Sequence, residues 1–203
     1  PLGRRFYWPI YEAADRHGLQ LGIHAGSNYR NDPSHSGFHS FLIEDHLAHT
    51  QGFATQISSN VGETVEFKIA TDATKYRIEI YRLGYYNGDG ARKVATISQE
   101  LTQAQIQPHP IVDYTTGLID CGNWADSASW PVPAGATSGI YLARLVRSDT
   151  GGASHIAFVV RDDASASDLL FQTSDTTWQA YNEYGGNSLY IRPGSDPPRA
   201  YAV

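Results

Sequence analysis

The chain contains no methionine and a single cysteine, Cys121. One thiol excludes an internal disulfide and any zinc site assembled from several cysteines. With Pro1 in first place and no Met anywhere, the natural protein is expected to start upstream. The want of a signal peptide therefore says nothing of compartment, and localisation stays open. Basic residues are scarce beside acidic ones, 15 Lys and Arg against 21 Asp and Glu, for a net charge of −6. With no basic stripe either, nucleic acid is not an expected partner. No apolar run reaches the length of a membrane span, so no membrane partner is expected. A Gly-x-Ser-x-Gly elbow and a phosphate-binding glycine loop are both missing. Asp113, Asp120 and Asp126 are too scattered for a calcium loop.

What is present reads as globular. With 41% hydrophobic and 18% charged residues, the 203-residue chain can bury a core. Nineteen glycines, ten prolines and thirteen tyrosines favour turns and strands over long helices. Histidine is unevenly spread: His17, His24, His35, His39, His46 and His49 precede residue 50, and only His109 and His155 follow. That asymmetry is a first sign of unlike parts.

Residues 1–56 have α/β texture. In FYWPIYEAADRHG, Tyr7, Ile10, Tyr11 and Ala14 recur at helical spacing, with Pro9 suited to a first turn and Gly18 to a C-cap. A strand over 19–23, a polar loop over 26–37 and a second helix from about Ser40 follow. Residues 57–162 change to strand texture. TVEFKIATD sets Val65, Phe67 and Ile69 against Glu66 and Lys68; YRIEIYRLG sets Tyr76, Ile78 and Ile80 against Arg77, Glu79 and Tyr81. NGDG (87–90) predicts a turn before the strand ARKVATI, and Thr150, Gly151 and Gly152 predict a hairpin between SGIYLARLVRSD and ASHIAFVVRDD. Such spacing predicts an antiparallel immunoglobulin-like β-sandwich. Residues 163–203 change again, to a buried-type strand over 169–172 and a helical turn capped by Ser174 or Asp175 and running to Tyr181. Strand, polar loop and helix are how an open α/β domain begins.

The candidate chemistry is thin. His24, in LGIHAG at a strand tip, suits a first metal ligand, zinc or another divalent ion, or else a histidine hydrogen-bonded at the end of a buried strand. His46 and His49 share a helix face near Glu44 but lack the spacing of a zincin. The aromatics of RLGYYNGDG (82–90) could stack on a sugar or partner, and the reading favoured is that they cover a sandwich end. Cys121 has no histidine beside it in sequence and reads as a plain thiol. Trp178, Tyr181, Tyr184 and Tyr190 read as a packed cluster at the start of a domain or as a site.

Two resemblances sharpen this. PLGRRFYWPIYEAADRHGLQLGIHAG with EDHLAHTQGFATQ resembles part of a metal-dependent amidohydrolase barrel of the aminocarboxymuconate-semialdehyde decarboxylase-like type. By that match His24 is a metal ligand, while the family's His-x-His pair, later histidine and late aspartate have no counterpart here. Residues 51–203, through GETVEFKIATDATKYRIEIYRLGYYNGDGARKVATI, SGIYLARLV and above all QTSDTTWQAYNEYGGNSLY, resemble the large (beta) subunit of N,N-dimethylformamidase. That resemblance implies a β-sandwich before a glutamine-amidotransferase-like α/β domain. It also implies a mononuclear iron, held by two tyrosines and a glutamate, that activates water for amide hydrolysis. Tyr181 in WQAYN and Tyr190 in NSLY match the two tyrosines; the glutamate is expected beyond Val203, and Glu183 is no obvious substitute. Phenolate is a hard anionic donor suited to ferric iron. The two resemblances meet near HTQGFATQ (49–56), which suggests a joined or recombined gene fragment.

The expected architecture is mainly β: an amidohydrolase-like α/β fragment (1–56), a sandwich (57–162) and the opening of an α/β domain (163–203). The expected function is that of a fragment of a small-amide hydrolase of the dimethylformamidase type, inactive alone, with a small amide as the parent's substrate and oligomerisation left open. The alternatives are a metal-dependent amidohydrolase or decarboxylase resting on His24, and a non-enzymatic sandwich serving as a binding or spacer module.

Overall fold

The computed structural model describes residues 50–192 and 194–202. The helix over 6–18, the strand over 19–23, the helix near Ser40, and His24, His46 and His49 lie outside the described residues.

Among the described residues ten strands form the body: β1 (Thr50–Ala54), β2 (Ser58–Asn60), β3 (Thr64–Thr71), β4 (Lys75–Leu83), β5 (Ala91–Glu100), β6 (Ile111–Val112), β7 (Ile119–Asp120), β8 (Ala128–Pro131), β9 (Gly139–Arg147) and β10 (Ala153–Arg161). They make a three-stranded sheet, β1-β3-β8, a five-stranded sheet, β2-β10-β9-β4-β5, and the small ribbon β6-β7. Pairing is antiparallel except at one edge, where β2 runs parallel to β10. The mainly-β sandwich is thus as the alternation in the sequence predicts. Its pairing begins at Thr50 rather than at 57, because β1 lies along β3 with Thr50 opposite Thr71 and Ala54 opposite Phe67.

The core forms where the two inner faces meet. Val65, Phe67 and Ile69 from β3 pack with Tyr76, Ile78 and Ile80 from β4 and with Ile156, Phe158 and Val160 from β10, all buried. These are alternate residues of each strand, as a pleated strand with one buried face requires. Phe158 sits at the centre of an aromatic group, with ring centroids 5.8 Å from Phe67, 6.0 Å from Trp130 and 5.7 Å from Tyr141. The tilted and edge-on geometries suit the charge distribution of the rings.

The outer face of the five-stranded sheet holds a feature that strand alternation does not announce. Glu79 points away from the core yet is only 6% exposed. It accepts hydrogen bonds from Arg77 (3.1 Å) on its own strand, Arg144 (3.1 Å) on β9, Lys93 (3.5 Å) on β5 and the Tyr81 hydroxyl (3.2 Å). A bulge between Ile80 and Tyr81 makes this possible. It shifts the register so that Lys93, not Val94, stands opposite Tyr81, and a bulge re-aims side chains in this way.

At one sandwich end the turn over Tyr86–Gly88 brings Tyr86 back on Arg82, which donates to its hydroxyl at 2.8 Å, while Arg92 lies 5.0 Å from its ring centre. Arg82 also donates to the Thr137 and Ser138 carbonyls. Tyr86 is thus held against two arginines, while Tyr85 is 78% exposed.

Candidate functional site

The long excursion between β5 and β8 is fixed to the three-stranded sheet before it reaches out. Gln107 donates to the Ile69 and Ala125 carbonyls and accepts from the Ala125 amide. Trp124, 5% exposed, donates to the Pro108 carbonyl and packs on Phe53. Between these anchors the β6–β7 hairpin turns through Asp113, whose carboxylate accepts the Thr115 and Thr116 amides. Those bonds hold Asp113 below the usual carboxylate range. Asp120 accepts the Gly122 amide in the same manner. Both aspartates thus shape turns.

The chain after β10 behaves differently from its sequence reading at one point. Leu169, Leu170 and Phe171 are not a buried strand: they are unpaired and 89%, 96% and 78% exposed. A strand of a parallel sheet is held by neighbours on both sides, and among the described residues none lies beside it. The following helix, α1 (Asp175–Tyr181), does start where expected. Ser174 caps it through its backbone carbonyl, which accepts from Thr177 and Trp178, while its side chain makes no capping bond.

Past α1 the chain folds into a compact knot of turns. Asn182 accepts the Tyr184 amide on its side chain, and Gly185 turns the chain at φ +74°. Ser188 is fully buried at the centre. Its hydroxyl accepts the amides of Tyr190 (3.2 Å) and Ile191 (3.1 Å), and its carbonyl accepts the Ala200 amide (2.8 Å). The Leu189 amide donates to the Ala180 carbonyl (3.2 Å), which brings the end of the turn back to the end of α1. Tyr190 thereby stacks on Tyr181, with ring centroids 4.3 Å apart and planes 22° from parallel. Tyr190 and Tyr181 are 54% and 47% exposed, so the pair is reached by solvent. The two tyrosines singled out in the sequence are one structural unit.

The hairpin reaches this knot. Asn187 donates its side-chain amide to the Gly117 carbonyl (3.0 Å), the Tyr201 amide donates to the Thr116 carbonyl (2.6 Å), and Arg192 donates to the Tyr114 carbonyl. Cys121, just past β7, is half-buried and hydrogen-bonded by Tyr184; burial pushes its thiol up despite that bond.

A family model described as N,N-dimethylformamidase beta subunit-like, C-terminal, matches residues 77–203. The chain belongs to this family. No curated protein matches it. The dimethylformamidase-like match starts inside β4 and runs to the end, so it covers most of the five-stranded sheet, the excursion with its hairpin, and the tyrosine knot together. It leaves out residues 1–76, and nothing found supports the amidohydrolase-barrel resemblance of residues 1–56.

Among the described residues no group of three or more His, Cys, Asp or Glu side chains is gathered for a metal. Phenol oxygens are hard donors of the kind a ferric ion takes, and Tyr181 and Tyr190, the two tyrosines expected to supply them, lie stacked on one another. The hairpin contacts were not legible in the sequence. Strands of two residues carry no periodicity, and the one usable signal was the turn chemistry of DYTTG (113–117). A cleft lined by Thr74, Lys75, Ser148 and Asp149 holds none of the expected site residues.

Proposed function

We propose that this chain is the sandwich-bearing part of a small-amide hydrolase, in which Tyr181 and Tyr190 supply two phenolate ligands to a ferric ion. The observation that carries this reading is the stacking of those two rings, 4.3 Å apart, inside the family-matched span. When bound, such an ion polarises an amide carbonyl and lowers the pKa of water. The residues' own part would be to offer two phenol oxygens from one stacked unit, which the hydrogen bonds of Ser188 help to fix and which is about half exposed to solvent. In the reaction, water adds at the carbonyl carbon, the C–N bond breaks, and acid and amine leave.

A catalytic metal takes three or more protein ligands, and this reading assigns two. Iron-loaded 203-residue chain is therefore expected to bind ferric ion without turning over formamide or dimethylformamide. Ferric titration tests the reading. A phenolate-to-iron absorption band should grow in the visible and be lost in both Tyr181→Phe and Tyr190→Phe. A band that survives both substitutions, or no band at all, sinks the ligand assignment. Measurable amide turnover sinks the claim that the chain is inactive alone.

A further inference from the structure

We propose that the β6–β7 hairpin, an outgrowth of the sandwich, sets the geometry of the Tyr181–Tyr190 pair, with Asn187 as the positioning residue through which it acts. The proposal rests on the reading that this pair holds the metal.

The contacts run in one continuous series. Gln107 and Trp124 root the excursion in the three-stranded sheet, so the hairpin projects from a rigid base. Its turn then presents two backbone carbonyls, Gly117 and Thr116, as acceptors. Asn187 and the Tyr201 amide use them, and these two residues bracket Ser188: Asn187 precedes it, and Ala200, next to Tyr201, donates to its carbonyl. Ser188 in turn fixes the amides of Tyr190 and Ile191. The Leu189-to-Ala180 bond closes the series by setting Tyr190 against Tyr181. From the Gly117 and Thr116 carbonyls to the tyrosine pair, no step exceeds one residue of chain or one hydrogen bond.

Steric fit supports the same conclusion. Gly117 has φ +81°, and a Cβ there would come within 3.0 Å of the Ala200 methyl and 3.1 Å of Arg192 Cδ. Gly185 has φ +74°, and a Cβ there would meet Ile119 of β7 at 2.9 Å. Hairpin and knot thus approach each other at two glycines, one on each side, each in a backbone conformation that side chains disfavour. A contact that needs glycine on both faces is tightly matched, and bonds that orient a ligand from behind govern its affinity.

The test uses the full chain with Asn187→Asp, which adds no bulk but cannot donate to the Gly117 carbonyl, and Gly117→Ala, which pries the two surfaces apart. Two signals are read. The first is the ring-current displacement of the Tyr181 and Tyr190 ring protons by NMR without metal. The second is ferric titration by the phenolate band. Both variants are expected to lose the ring-current displacement and to bind ferric ion roughly 10-fold to 100-fold more weakly, with the sandwich resonances unmoved. Unchanged ring shifts and unchanged ferric affinity in Asn187→Asp overturn the proposal. If the unmodified chain gives no phenolate band, the iron reading fails by itself, and the metal-free ring shifts still decide whether the hairpin sets the pair.

Discussion

Glu79 keeps its charge inside the sheet because cations reach it from three strands. Burial alone would raise its pKa, but hydrogen bonds from Arg77 and Arg144 and the charge of Lys93 outweigh that, so its carboxyl is held below the usual value. A depressed carboxylate pKa stabilises the fold above the unfolded-state value, near 4.5, and that contribution is lost as the pH falls through the lower folded-state value. Glu79→Gln leaves Arg77, Arg144 and Lys93 facing one another without their counter-charge. Because Arg77 and Lys93 are 41% and 50% exposed, water screens part of the cost, and about 2 kcal/mol of stability should go at neutral pH. Urea denaturation at neutral pH and at about pH 3 checks this: the gap between variant and parent should narrow in acid as Glu79 protonates. A gap that holds constant with pH would show that the carboxylate charge is not what stabilises the sheet. Of this cluster the alternation in YRIEIYRLG gave the outward direction of Glu79 correctly and its burial not at all. Burial came from cross-strand partners and from a bulge, and neither is written in any single strand.

At the scale of elements, legibility followed the strength of the period-2 signal. β3 and β10 alternate throughout and β4 as far as Ile80, and their alternate apolar residues lie in the core; β9 is apolar on both faces yet sits where its strand content places it. β1, TQGFA, has no such alternation, and it joins the sheet for reasons of fit. Thr50 and Thr71 share a buried hydrogen bond of 2.7 Å, and the absence of a side chain at Gly52 lets β3 come close. A Cβ at Gly52 would lie 2.6 Å from the Lys68 carbonyl oxygen and 3.2 Å from Ile69 Cα. Those are backbone atoms, which cannot swing aside. Gly52→Ala should therefore cost about 1–3 kcal/mol and raise hydrogen exchange along β1 and the facing edge of β3 before the five-stranded sheet is affected. Unaltered exchange in β1 would mean that the strand is not seated on β3 as described. The run LLF misled in the opposite direction: apolar content predicts burial only when a partner surface is there to supply it.

Across the whole molecule, stability and candidate chemistry lie in different places. The core is the sandwich interior around Phe158, whereas the tyrosine pair sits in turns that bury little beyond Ser188 and Ala200. The family match spans both, and the hairpin is what ties the second to the first. Between them lies the exposed run of Leu169, Leu170 and Phe171, which adds apolar surface to solvent without adding contacts to the fold. Contiguous apolar surface of this kind favours association between copies. Replacing Leu169 and Leu170 together with serine should then leave the unfolding free energy within about 0.5 kcal/mol of the parent, as expected for exposed positions, while reducing self-association. Phe158→Ala, in contrast, should cost about 3–5 kcal/mol. Denaturant unfolding and sedimentation velocity on the three proteins separate the two effects. Should the double serine variant unfold as easily as Phe158→Ala, the LLF run would have to be part of the core, and the division between a stable sandwich and a lightly held tyrosine segment would be wrong.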